Sequence, residues 1–146
     1  MKNMVLRSFT MAGLIFMLAG ASLQAQTSSK IVNVPFDFAA GTAKLKAGDY
    51  IVKRMSEHAV AIRSADGKTT ALINAPLSLG ARDSKPGARL VFNRYGDQYF
   101  LSQVWLRVDA GSQLFVSNEE TKTAKAFRLA RRKALPERVE VALRTK

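Results

Sequence analysis

The residues of this chain that could do chemistry are few and scattered. Six aspartates (Asp37, Asp49, Asp66, Asp83, Asp97 and Asp109) stand mostly beside glycines or strand ends, and the single histidine, His58, follows Glu57. Two carboxylates facing each other across a cleft, about 5 to 10 Å apart, would hydrolyse a glycosidic bond. A serine, histidine and aspartate in contact would transfer an acyl group. Neither arrangement is written into the spacing. There is no G-x-S-x-G and no strand-turn-helix context to expose a nucleophile. Aspartate beside glycine is what a tight turn selects, because its carboxyl accepts local backbone N–H groups. A metal needs several converging His, Cys or carboxylate ligands, and this chain has one His and no Cys. "GARDSKPGAR", residues 80–89, has glycines and basic residues without the order of a phosphate-binding loop. We therefore read His58 and the aspartates as turn residues and expect a non-enzymatic chain, with no catalytic, metal-binding or cofactor-binding residue.

Two clusters offer binding instead. Wound at 100° per residue, the stretch after Asn118 fans Lys122, Lys125, Arg128, Arg131 and Arg132 over one arc. Such an arc suits an anionic polymer or a membrane surface, with affinity that falls as salt rises. It equally suits a solvated outer face, and glutamates at the first turn with arginines at the last complement the helix dipole. The second cluster is "RLVFNRYGDQYFLSQVW", residues 89–105, which is dense in aromatic rings. Stacking on a sugar or base needs rings exposed beside polar neighbours. Phe92 and Leu101 read as core here, with Tyr99 and Trp105 at a rim, their polar tips outward. No specific recognition of nucleic acid is expected.

These clusters need a scaffold, and its elements show as alternating apolar residues. In "KIVNVPFDF" Val32, Val34, Phe36 and Phe38 share one side, a strand with one buried face. Pro35 cannot donate a ladder hydrogen bond, so that strand lies at an edge or carries a bulge. "DYIVKRM", "HAVAIRS" and "TTALINA" read as the next three strands, the last two joined at Asp66-Gly67, a hairpin-turn dipeptide. Residues 76–87, "PLSLGARDSKPG", read as a long loop and a candidate for function. In the aromatic stretch, a two-residue turn at Gly96-Asp97 pairs Tyr95 with Gln98, Arg94 with Tyr99 and Phe92 with Leu101. One face then carries Leu90, Phe92, Tyr99, Leu101 and Trp105, and the other Val91, Tyr95, Phe100, Val104 and Leu106. A ribbon apolar on both sides must be covered on both sides.

A late helix supplies the second cover. Ser117, three positions before Glu120, predicts a capping box, with Asn118 as an alternative cap. Ala126, Phe127, Ala130 and Ala134 predict the packing face, and Pro136 the end. "ERVEVALR" closes the chain as a strand that could pair beside the first and remove its open edge. The expectation is a mainly β fold. About seven antiparallel strands form a small, partly closed barrel or rolled sheet, with one C-terminal α-helix packed outside. An open β-sandwich is the alternative.

Residues 1–25 read as an address. Lys2 and Arg7 precede the apolar run "MAGLIFMLAGA", and small residues offer cleavage after Ala21 or Ala25. That predicts a signal peptide and an exported protein, periplasmic or extracellular. Residues 26–146 then form a single β-rich domain, with a helix near 118–134 and a final strand near 138–144. Without Lys2 and Arg7, 21 basic residues remain against 11 acidic ones, a balance of about +10 that favours anionic partners. Without cysteine, an exported domain of this kind has no disulfide and relies on its core.

"VPFDFAAGTAKLKAGDY" and "RLVFNRYGDQYFLSQVW" resemble a group of short exported hypothetical proteins of environmental bacteria. That group has a signal peptide, an "F-x-F…L-x-A-G-x-Y" opening, an "LVFNRYG-x-x-YFL-x-x-VW" hairpin and a charged helical tail. The resemblance implies a shared fold and export, and it carries no activity, cofactor or catalytic residue. The leading functional expectation is an envelope or extracellular interaction module with a basic surface, using residues 76–87 and the basic helix. A small-ligand carrier with a barrel interior and a carboxylate-based hydrolase are the alternatives.

Overall fold

The computed structural model describes residues 29–80, 86–130 and 135–145. The segment read as a signal peptide lies outside them, as do Asp83, Arg131, Arg132 and Ala134. The described chain is mainly β. It runs β1 (Lys30–Val34), β2 (Phe38–Ala40), β3 (Ala43–Leu45), β4 (Gly48–Ser56), β5 (Ala59–Ser64), β6 (Thr70–Asn74), β7 (Leu77–Leu79), β8 (Arg89–Tyr95), β9 (Gln98–Trp105) and β10 (Gly111–Gln113). Then come α1 (Asn118–Ala130), β11 (Glu137–Ala142) and β12 (Arg144–Thr145). One sheet has the order β12-β1-β4-β5-β6 and the other β11-β8-β9-β10-β7, with β2 and β3 attached beside β9. All pairings are antiparallel except β2 with β9, parallel at Ala39 and Phe100.

The two sheets share their corners. After β6, Ala75 and Pro76 carry the chain over into β7 on the second sheet; Ala75 is buried and its N–H donates to the His58 carbonyl at 2.8 Å. After β11, Leu143 alone makes the opposite crossing, its side chain buried and its N–H bonded to Ala88 O at 2.8 Å. Strands that switch sheets are how a sandwich turns corners. The result is a rolled two-sheet fold, not a closed barrel, and it has more and shorter strands than the alternation shows. The segment expected to pair beside the first strand is split: Glu137–Ala142 pairs with β8 instead, and only Arg144 and Thr145 pair with β1, Lys30 facing Thr145 and Ile31 facing Arg144. Pro35 lies just past the end of β1, where it removes no ladder bond.

Between the sheets, Val34, Val52, Val60 and Ile62 meet Leu90, Phe92, Leu101 and Val104, all buried. Phe92 is the hub, edge-on to Phe36 at 5.1 Å and to Phe38 at 5.3 Å. These ring pairs add directional contact to ordinary burial.

The β8–β9 hairpin turns at Gly96-Asp97, with Gly96 at φ 64°, and it keeps the three expected pairs near the turn. Farther on, Val91 faces Gln103 while Phe92 faces Leu101, so Ser102 is an extra residue, a bulge. An extra residue reverses the alternation beyond it. Val104 therefore joins Leu90 and Phe92 inside, and Trp105 turns to the outer face with Arg89 and Val91, the reverse of the sequence expectation. The β5–β6 connection also differs from a two-residue turn. It spans 65–69, closed by Ser64 N–H to Thr69 O at 2.8 Å, with Gly67 at φ 74°.

α1 begins as expected. Ser117 Oγ accepts the Glu120 N–H at 3.1 Å, and Thr121 N–H donates to Ser117 O at 2.9 Å. The second half of the capping box does not form. Glu120 instead turns its carboxyl to the sheet, accepting from Asn93 Nδ2 at 2.9 Å and Tyr95 OH at 3.3 Å. The packing face is Glu120, Ala124 and Phe127; Phe127 packs as expected, whereas Ala126 and Ala130 are exposed. Phe127 meets Tyr95 edge-on at 5.8 Å, and Tyr95 meets Phe100 at 5.9 Å. The helix thus covers the outer face of the hairpin tip.

Candidate functional site

The packing of α1 decides what its outer side offers. With Glu120, Ala124 and Phe127 turned inward, Lys122, Lys125 and Arg128 are exposed, and none of the three makes an ion pair among the described residues. Arg131 and Arg132, the other two members of the expected arc, lie outside the described residues. Lys125 and Arg128 border a groove of about 520 Å3 whose other walls are Tyr95, Val116, Thr121, Ala124 and Leu129. Burial and then the charge of Glu120 push the Tyr95 phenol above its ordinary value, so it stays a neutral hydrogen-bond donor to that carboxyl.

The aromatic rim is only half as expected. Tyr99 is half-buried at the hairpin end, stacked on Phe36 at 3.9 Å with the Arg94 guanidinium 5.4 Å from its ring centre. One face of that ring is already taken by Phe36. Trp105 is not at a rim at all: it is fully buried. The Ser102 bulge turns it outward, and Gly111 on β10 then lies flat against the indole, where a Cβ would come within 2.5 Å of it. The Arg89 guanidinium sits 4.6 Å from the indole centre, a cation–π contact, and Nε1 donates to Gln103 Oε1 at 3.0 Å. Arg89 is itself buried and reaches Glu140 at 3.6 Å. The stretch 76–87 is not wholly a loop either, because β7 pairs with β10.

Four of the five described aspartates are committed to structure. Asp37 accepts from Lys46 Nζ and the Ala47 N–H, both at 2.8 Å, and fixes the turn before β4. Asp49 accepts from Asn33 Nδ2 at 2.8 Å, and Asp109 takes Arg107 through both oxygens at 3.1 and 3.0 Å. Asp66 accepts from Ser64 Oγ at 2.5 Å and the Lys68 N–H at 3.1 Å. Asp37, Asp97 and Glu119 border one groove of about 300 Å3, but Asp37 is paired to Lys46 and Glu119 to Lys44 at 2.7 Å. A general acid needs its pKa raised. The Lys46 hydrogen bond instead lowers that of Asp37, Ser64 lowers Asp66, and Arg107 lowers Asp109. His58 lies in the exposed turn between β4 and β5, its N–H on Ser56 Oγ at 3.3 Å. Among the described residues no three His, Cys, Asp or Glu side chains are grouped to hold a metal ion.

Those three lowered values set a pH dependence. Unfolded, each aspartate titrates at its ordinary value; folded, it titrates lower, so the unfolded chain takes up protons first as pH falls. The contribution to stability is complete above the ordinary aspartate range and drains away as pH drops through it. We expect thermal melts to shift down between about pH 5 and pH 2. Asp37→Asn should flatten that slope while leaving the neutral-pH fold intact; an unchanged slope would contradict the assignment.

No family profile, no curated protein and no solved structure matches the chain. The basic arc was legible from helical spacing. The groove beside it was not, because Val116 and Leu129 come together only through the docking of α1 at Glu120.

Proposed function

We propose that this protein is an exported, non-enzymatic domain of the envelope or extracellular space that holds anionic surfaces or polymers through α1. The observation that carries the reading is the outward row of Lys122, Lys125 and Arg128, exposed and without ion pairs among the described residues, on a helix pinned to the sheet by Glu120. The basic balance of the chain supports it, since long-range attraction brings anions to that row. The signal-like segment 1–25 supports export. The buried apolar side chains packed between the sheets favour a surface site over an interior ligand, and the ion pairs of Asp37, Asp66 and Asp109 argue against carboxylate hydrolysis.

Retention on a heparin-like matrix tests the proposal. Elution salt should drop for the triple variant Lys122→Gln, Lys125→Gln, Arg128→Gln. The dependence of log affinity on log salt should become shallower by about two to three counterions. Equal retention of the variant and the parent would overturn the helix as the binding element.

A further inference from the structure

The anion reading leaves one feature of the surface unexplained. Four large apolar side chains stand in water on the same flank: Leu72 at 71 %, Phe115 at 62 %, Val116 at 60 % and Leu129 at 77 % exposure. Exposed apolar residues are ordinary when scattered, and informative when contiguous. Here they are contiguous. Val116 and Leu129 line the groove that holds Lys125 and Arg128. Val116 also lines a neighbouring groove of about 830 Å3, between β6 and residues 114–119, whose walls include Leu72 and Phe115. Val116 is the shared wall, so an apolar tract runs from Leu72 past Phe115 and Val116 to Leu129, with the cations Lys125 and Arg128 at its helix end.

We infer that this flank docks on an anionic phospholipid bilayer, with Lys125 and Arg128 on lipid phosphates and Leu129, Val116 and Phe115 entering the headgroup and acyl boundary. The inference rests on the anion-binding reading above and names its partner. The choice between anions follows from what each would satisfy. A soluble polyanion meets the two cations and leaves the apolar tract in water. An anionic bilayer meets both, which is the pairing that interfacial proteins use. The stems of Lys125 and Arg128 are long enough to lie along apolar surface while their heads stay at the phosphate level. The charge is complementary as well: the flank carries exposed cations, and the chain as a whole is strongly basic.

Co-sedimentation of the full chain with vesicles tests this, using equimolar phosphatidylglycerol and phosphatidylcholine against phosphatidylcholine alone, with the heparin-like matrix in parallel. Binding is expected to the anionic vesicles only. Phe115→Ser with Leu129→Ser, both at exposed positions, should weaken vesicle binding by about tenfold or more and leave matrix retention unchanged. Lys125→Gln with Arg128→Gln should weaken both. In a second measurement on an otherwise unaltered surface, the Phe115→Trp variant should show a blue-shifted emission on anionic vesicles and quenching by brominated acyl chains, neither of which the parent, with only the buried Trp105, should show. Vesicle binding by the serine variant equal to the parent, or an emission of the Phe115→Trp variant that vesicles leave unmoved, overturns the lipid inference. Matrix retention without vesicle binding by the parent overturns it too and leaves the anion reading standing, whereas a parent that binds neither sinks the two together. A concentration-dependent dimer abolished by Leu129→Ser would assign the tract to a second copy and also overturn it.

Discussion

Replacing Gly111 by alanine is expected to destabilise the fold by about 3 kcal/mol, the upper range for forcing a methyl into a packed interior. The new Cβ would sit 2.5 Å from Cδ2 and 2.6 Å from Cε2 of Trp105. The indole cannot easily give way, because it is fully buried, tied to Gln103 through Nε1 and covered by the Arg89 guanidinium. Trp105→Ala alone should cost about 3 to 5 kcal/mol, as large-to-small changes of buried aromatics do. The double variant separates steric overlap from other causes. In the Trp105→Ala background, Gly111→Ala should be nearly neutral, since the methyl then enters space the indole has left, and the cycle should show strong coupling. Urea denaturation of the four proteins measures this. A Gly111→Ala cost below about 1 kcal/mol would mean that the indole is not held where we place it.

Removing the Glu120 carboxyl should cost about 2 kcal/mol in Glu120→Ala, because the part-buried Asn93 Nδ2 and the buried Tyr95 hydroxyl both lose their acceptor. Glu120→Gln should cost less, as its amide oxygen can still accept. The loss should be local first. Amide exchange along 118–130 should accelerate in the alanine variant before exchange in β4 and β5 does, since the helix has Ala124 and Phe127 as its other anchors. A helix released in this way would no longer hold Lys125 and Arg128 beside Val116, so anion retention should fall although no basic residue has changed. Uniform acceleration across both sheets would instead mean that Glu120 supports the whole fold.

The fold class and the hairpin register near Gly96-Asp97 were legible because alternation and turn chemistry act locally. What the sequence hid was set by distant contacts. Strands β2, β3, β7 and β10 have three residues each, too few to show a period. The Ser102 bulge leaves no mark on composition, yet it exchanges Val104 and Trp105 between faces and so removes Trp105 from the rim. The helix face was misjudged for a related reason. A glutamate in the first turn looks like dipole compensation, and only the hydroxyl of Tyr95 and the amide of Asn93 make it a buried residue. Alanines at 126 and 130 suit a packing face on volume alone, but the sheet offers them nothing. The cations of α1 needed no partner to be found, whereas the apolar tract needed Leu72 and Phe115, distant in sequence, to meet at Val116.

The crossing at Leu143 bears on how the chain assembles. Residues 137–142 complete one layer against β8, and residues 144–145 complete the other against β1, so both layers wait for the same nine residues. A chain emerging from a ribosome cannot finish either half early. Its first strand finds its outer neighbour only after a segment more than a hundred positions away has arrived. Long-range closure of that kind makes for slow, concerted folding. It also leaves both layers of the growing polypeptide open until residues 137–145 have been made.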